Sequence, residues 1–240
     1  MKVRMYNVGF GDCFCLRDRK KSLLVDFGTN NSRIEGRPRR EIFDVIISDL
    51  STIKSKNLLL THFHMDHLSG LLYMMKKKDI SVDFGKIYLP DVFSKKEMSR
   101  TLVLLLLADL LKESGLPSRQ VSLFALVDAL LENKQNVELL SRGKLFENKY
   151  QALWPDTDVI RKETDEVYNR ICEDGKFKEV MDVLLEFAEK LRLIVWSMTA
   201  EGNKPAETVE KETDLTASEL TEQPEVRQKI IRAYVYEREF

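Results

Sequence analysis

Thr61-His62-Phe63-His64-Met65-Asp66-His67-Leu68-Ser69-Gly70 decides how the rest of this chain is read. The chain holds three histidines, and all three fall inside that stretch, at positions 62, 64 and 67. Leu58-Leu59-Leu60 runs directly into it and reads as a short buried strand. In an extended segment residues i and i+2 point the same way, so His62 and His64 can face one cation. Asp66 and His67 stand where the chain turns into a helix expected over residues 68–78, and can reach a second cation. Gly70 lets that helix sit close to a sheet. Imidazole and carboxylate donors suit Zn²⁺, with Mn²⁺ or Fe as alternatives. Two such ions about 3.5–4 Å apart polarise a phosphoryl or carbonyl oxygen and activate a water for attack.

On the N-terminal side, residues 2–8, 12–16 and 22–25 read as strands, separated by Gly9-Phe10-Gly11 and a charged turn over 18–21. Residues 40–50 carry the apolar residues Ile42, Phe43, Val45, Ile46, Ile47 and Leu50, which fit a helix with one buried face. Residues 86–89 read as another strand, stopped by Pro90. This order of strands and helices predicts an α/β layered domain. Beyond residue 95 the texture is helical over 95–115 and 118–133, with Gly115-Leu116-Pro117 as a stop and restart. Strand texture returns over 143–154, with Glu147-Asn148 as a hairpin turn. Helices are expected at 157–173, 177–197 and 215–231, with a polar loop from residue 200 and a last strand beginning at 233–236. No internal repeat is present.

The 240 residues carry 43% hydrophobic and 32% charged side chains and a formal net charge of −1. That is the composition of a globular protein with a sizeable core. The charge is unevenly spread. Residues 1–100 hold 19 Lys/Arg against 12 Asp/Glu, and residues 101–240 hold 19 against 27. The basic clusters Arg17-Asp18-Arg19-Lys20-Lys21, Arg37-Pro38-Arg39-Arg40 and Lys76-Lys77-Lys78 share the half that holds the histidines. Basic side chains attract and position phosphates, so a phosphate-bearing substrate suits this half, although solvated loops and helix ends read the same way. Cys13, Cys15 and Cys172 are too few for a disulfide framework. The first residues have no apolar signal core, and the longest apolar run, 102–111, is far short of the roughly 20 residues that span a bilayer. The expectation is a cytoplasmic protein that does not enter a membrane.

The stretch 61–70 resembles the THxHxDHxxG signature of the metallo-β-lactamase superfamily. Leu23-Leu24-Val25-Asp26-Phe27-Gly28 is similar to that family's first motif, a strand ending in Asp-x-Gly. Val8-Gly9-Phe10-Gly11-Asp12-Cys13 resembles the VGxGD segment of the branch that includes the metallo-β-lactamase domain of the competence DNA-uptake protein ComEC. There, residues 143–155, ending Leu153-Trp154-Pro155, match a strand pair before the second half of the fold. The resemblance implies the N-terminal half of an αββα sandwich, formed by residues 1–95 and 143–155. Residues 96–142 become a helical insertion, and 156–240 a helical insertion or extension leading into a final strand. It implies that His62 and His64 hold one metal and Asp66 and His67 a second. Asp66 is the candidate catalytic residue, taking a proton from the attacking water. Asp26 and Asp12 orient the ligands by hydrogen bonding.

The family also uses a later histidine, a bridging aspartate and a last histidine, and no histidine follows His67. Asp91, Asp109, Asp156 and Asp158 are the acids one could nominate instead, and each reads more readily as a solvated or capping residue. Three explanations stay open. The chain is the N-terminal part of a longer protein, or one half of a split fold completed by a partner protein, or a degenerate member kept for binding. The expected function is a metal-dependent hydrolase, a phosphodiesterase or nuclease acting on nucleic acid, of the kind also found in bacterial antiviral defence systems. The alternative is a catalytically incomplete module acting through a partner protein. A thioester or lactone hydrolase is a weaker third reading.

Overall fold

The structure is a computed structural model that describes residues 1–18, 21–77, 83–113, 123–173, 175–200 and 202. The expected helix at 215–231 and strand at 233–236 lie outside the described residues. The α/β expectation holds: a six-stranded mixed sheet is accompanied by helices. Its strands are β1 (Lys2–Met5), β2 (Phe14–Asp18), β3 (Lys21–Val25), β6 (Ser55–Leu59), β7 (Ile87–Pro90) and β8 (Val137–Leu140), in that spatial order. A two-residue hairpin, β4 (Arg33–Ile34) and β5 (Arg37–Pro38), precedes α1 (Arg39–Ser51). The candidate loop then opens α2 (Met65–Met75).

The chain divides into two compact units, the first comprising Met1–Pro90 and Ala129–Glu138. There β1, β2 and β3 are antiparallel neighbours, and β3 pairs in parallel with β6, which pairs in parallel with β7. The β3–β6 pairing needs a crossover, and α1 lies between the two strands in sequence. Five of the six apolar residues expected on its buried face are buried, Ile42, Phe43, Ile46, Ile47 and Leu50, whereas Val45 is 58% exposed. The strands buried between layers carry Leu24, Leu58 and Ile87, each with no exposed surface. In contrast, β1 is an edge strand exposed along its length, with Val3 61% and Met5 72% exposed. Arg4 on the same strand reaches Asp49 of α1 at 2.7 Å, so Val3 and Met5 point away from that helix.

The second unit comprises Asp91–Asp128 and Leu139–Phe240. Its helices α3 (Ser99–Glu113), α5 (Thr157–Glu173) and α6 (Gly175–Ser197) pack on one another. Polar pairs mark the contacts: Arg100 with Asp165 at 2.9 Å, and Ser99 with Glu189. The predicted hairpin is present as β9 (Leu145–Phe146) and β10 (Tyr150–Gln151). Glu147 and Asn148, both left-handed at φ 52° and 58°, turn the chain in the three-residue loop between the paired Phe146 and Tyr150.

Two expectations need correction. Residues 96–142 are not wholly helical: besides α3 and α4 (Leu123–Glu132) they contain β8, the outer strand of the main sheet. Val137-Glu138-Leu139-Leu140 is too short to show a period, and its strand state comes from pairing in the sheet. The helix expected from residue 68 begins at Met65, because the polar residues of the histidine stretch form its first turn. Among the described residues no helix is long and apolar enough to cross a membrane.

Candidate metal centre

The site is assembled from three ends of structure in the first unit: the loop after β1, the end of β3 and the passage from β6 into α2. The amide of Asp26 donates to the Leu59 carbonyl at 2.8 Å, and that of Phe27 to the His67 carbonyl at 2.7 Å. The Phe27 carbonyl accepts from Gly70 and Leu71, at 2.8 and 3.1 Å, and Ser69 Oγ and the Thr29 backbone exchange two bonds at 2.9 Å each. Residues 26–29 are therefore laced onto the first turns of α2.

This lacing depends on missing Cβ atoms. A Cβ at Gly11 would lie 2.2 Å from the Gly28 carbonyl oxygen and 2.7 Å from that of Asp66. One at Gly70 would strike the Phe27 ring at 2.6 Å, which bears out the close helix–sheet approach expected there. With Gly11 in place, the Asp12 amide donates to the Asp66 carbonyl at 3.2 Å and the Asp12 carbonyl accepts from Gly28 at 3.3 Å.

Asp26 is the buried anchor, 2% exposed. Its carboxylate accepts from the Thr61 amide and the Thr61 hydroxyl, both at 2.8 Å, and its Oδ2 lies 2.9 Å from His67 Nδ1. Burial pushes this carboxyl above the usual carboxylate range, and the bonds from Thr61 and His67 oppose the shift. Its φ of 54° is a left-handed conformation that costs a non-glycine residue roughly 1 kcal/mol. Holding His67 by Nδ1 turns Nε2 outward, where it stands 3.8 Å from Asp66 Oδ2.

The imidazoles crowd together. His62 and His67 ring centroids are 3.8 Å apart, and His64 meets His62 edge-on at 4.7 Å. Burial, then the neighbouring His67 and His64, push the His62 imidazole down to about 4. It is therefore neutral near pH 7 and offers a lone pair. Donor atoms of His62, Asp66 and His67 lie within 4.8 Å of one another, as do those of Asp12, Asp26 and His67. Imidazole nitrogens beside a carboxylate form a donor set that fits a divalent cation.

Every nominated residue thus comes to one place, although His64 stands outside both donor groups. Asp12 lies 3.7 Å from His67 Nδ1, beside the nitrogen that Asp26 already engages. The role of Thr61 was not read from sequence. Besides its two bonds to Asp26, its hydroxyl lies 3.0 Å from His62 Nδ1 and so orients that ring as well. Its position at the head of the histidine stretch was the available signal.

The other nominated acids hold local structure. Asp91 accepts from Ser94 at 3.1 and 2.7 Å, and Asp109 from the Phe124 amide at 3.3 Å. Asp156 accepts from the amides of Asp158 and Val159 at the start of α5 and pairs with Arg142 at 2.9 Å. Asp158 lies 3.8 Å from Arg161.

Residues 6–91, which contain all six candidate side chains, match the family described as the Metallo-beta-lactamase superfamily. Over 77 residues the chain is 32% identical to Endoribonuclease YSH1 of Mycosarcoma maydis, a match covering 32% of this chain and 8% of that protein. No solved structure matches the chain. The mixed sheet with its helices is consistent with the metallo-β-lactamase fold.

Proposed function

We propose that this chain is a metal-dependent hydrolase of phosphodiesters, a nuclease by preference, with His62, His64, Asp66 and His67 as its ligands and Zn²⁺ as its ion. The observation that carries the reading is the prearranged donor set of His62, Asp66 and His67, with Asp26 fixing the tautomer of His67. A bound divalent cation would supply Lewis acidity toward a phosphoryl oxygen. Asp66 would accept the proton of the attacking water. Thr61 and Asp26 would hold the two imidazoles, and Asp12 would steady His67 from the open side. The endoribonuclease named above and the basic N-terminal half both support a nucleic-acid substrate.

Metal content and activity test this together. The purified chain should take up Zn²⁺ or Mn²⁺, lose it on His62→Ala, and cleave bis(p-nitrophenyl) phosphate in a manner abolished by Asp66→Ala and by EDTA. Cleavage that survives both treatments would refute the assignment.

A second reading is favoured by two specific observations. No histidine follows His67, and β1 presents Val3 and Met5 to solvent on the face away from α1. Under it, a partner protein or a further portion of the fold covers this face and supplies the later ligands, as in a multi-protein defence or DNA-processing system of the ComEC-like branch. The chain alone would then hold at most one ion weakly, and two when the covering partner is present. Two tightly held ions in the isolated chain would exclude it.

A further inference from the structure

We infer that the β4–β5 hairpin and the exposed Phe10 ring form a docking surface for a single strand of nucleic acid at the lip of the candidate metal centre. The inference rests on the hydrolase reading for its purpose, but its observations are independent of the metal ligands.

Phe10 is 80% exposed, yet its backbone is fixed. Its amide donates to Asn31 Oδ1 at 2.7 Å, and its carbonyl accepts from the Asn30 amide at 2.8 Å and the Thr29 hydroxyl at 3.2 Å. An exposed aromatic ring carried on a backbone fixed by three hydrogen bonds is a ready stacking surface for a base. Two residues on stands Asp12, 3.7 Å from His67, so the ring belongs to the same loop as the site.

The hairpin is bolted to that loop. Asn7 Nδ2 donates to Glu35 Oε1 at 2.7 Å, and a Cβ at Gly9 would touch Ile34 Cγ1 at 3.5 Å. Glu35 and Gly36, at φ 48° and 78°, close a two-residue turn that fixes its register. Arg37 is the cross-strand partner of Ile34 and shares its face, the one turned toward Gly9. Arg33, Arg37, Arg39 and Arg40 are all exposed, and none has an ion-pair partner among the described residues. Arg39 and Arg40 open α1, the end at which the helix dipole repels cations, with Glu41 as the acid of that first turn. Glu35 and Glu41 are the acids of this segment, and Glu35 is engaged with Asn7.

Arginines without ion-pair partners beside an exposed aromatic ring suit a chain of phosphates carrying bases better than a lone phosphate, because the contacts lie at several points along the surface. Neither an acyl nor a lactone substrate would use them.

The test measures fluorescence anisotropy of labelled RNA and DNA strands of about 15 nucleotides with the full chain in EDTA, so that no cleavage occurs. Wild-type protein should bind with a marked salt dependence. Arg37→Glu/Arg39→Glu/Arg40→Glu should weaken binding at least about tenfold and flatten the log–log salt slope by about 0.7 for each phosphate no longer neutralised. Phe10→Ala should weaken binding about tenfold with the slope unchanged. Arg161→Glu/Lys162→Glu/Arg170→Glu on α5 makes the same change in net charge and should bind as wild type, with circular dichroism confirming that every variant is folded. Absence of binding, variants that bind like wild type, or binding to phosphatidylserine vesicles in place of either strand would overturn the inference. Hydrolysis of bis(p-nitrophenyl) phosphate separates the two readings. Hydrolysis without strand binding leaves the hydrolase standing and removes this surface. Arginine- and Phe10-dependent binding without hydrolysis does the reverse.

Discussion

His67 Nδ1 lies 2.9 Å from Asp26 Oδ2, a contact made across 41 residues of sequence. It is the link on which the candidate centre turns, because it decides which ring nitrogen of His67 faces outward. The same carboxylate also holds Thr61, which holds His62. One buried acid thus positions two imidazoles.

Asp26→Asn should keep the backbone, since asparagine tolerates the left-handed φ of 54° at this position. The charge that holds the His67 tautomer is lost. Affinity for Zn²⁺, measured against a chromophoric chelator, should fall about 10–100-fold with the circular dichroism unchanged. Unaltered affinity would sink the positioning role of Asp26.

Gly11→Ala should destabilise the protein by about 1–3 kcal/mol or prevent folding, since its Cβ would meet backbone of both Gly28 and Asp66. Gly175→Ala is the control. Nothing lies within 4 Å of its Cβ position, at the start of α6. It should be neutral or slightly stabilising. Urea unfolding midpoints of the two variants check the contrast, and equal effects would contradict the close approach.

Thiol chemistry should separate the cysteines. Cys13 and Cys15 are buried on and beside β2, and burial pushes the Cys13 thiol far up. Cys172 is half-buried. Ellman's reagent at pH 8 should therefore find at most one reactive thiol in the native protein and all three after denaturation. Rapid labelling of Cys13 in the native state would show that β2 opens readily.

The phenols set an alkaline limit. Burial and the bond to Asp49 push the Tyr6 phenol well up, and burial with the neighbouring Cys172 pushes that of Tyr168 up to about 12. A phenol that ionises later in the folded state than at its free value of about 10 contributes fully below that pH. The contribution is lost as the pH rises through 10 toward 12 and beyond, because the unfolded chain releases its proton first. Melting temperature should fall over that range, and Tyr6→Phe/Tyr168→Phe should flatten the fall. An equally steep fall in the double variant would reject the assignment.

Much of this was legible in sequence because the signals are local. The apolar spacing of residues 42–50 predicts the buried face of α1. Three histidines within six residues predict one cluster, and Glu147-Asn148 predicts the turn between β9 and β10. Val137–Leu140 was not legible, because a four-residue strand is made by its neighbours in the sheet. The short hairpin from Arg33 to Pro38 escaped for the same reason.

Local sequence settles the donor types, their i, i+2 and following spacing, and the glycine at 70 where helix and sheet approach. Three-dimensional packing alone puts Asp26 under both Thr61 and His67, brings Asp12 to His67 from a third loop, and fastens the arginine hairpin beside Phe10. The reason is physical. Spacing along one strand or turn fixes which side chains share a face. The parallel pairing of β3 with β6 is what carries the end of one strand to the end of another, and no local preference encodes that meeting.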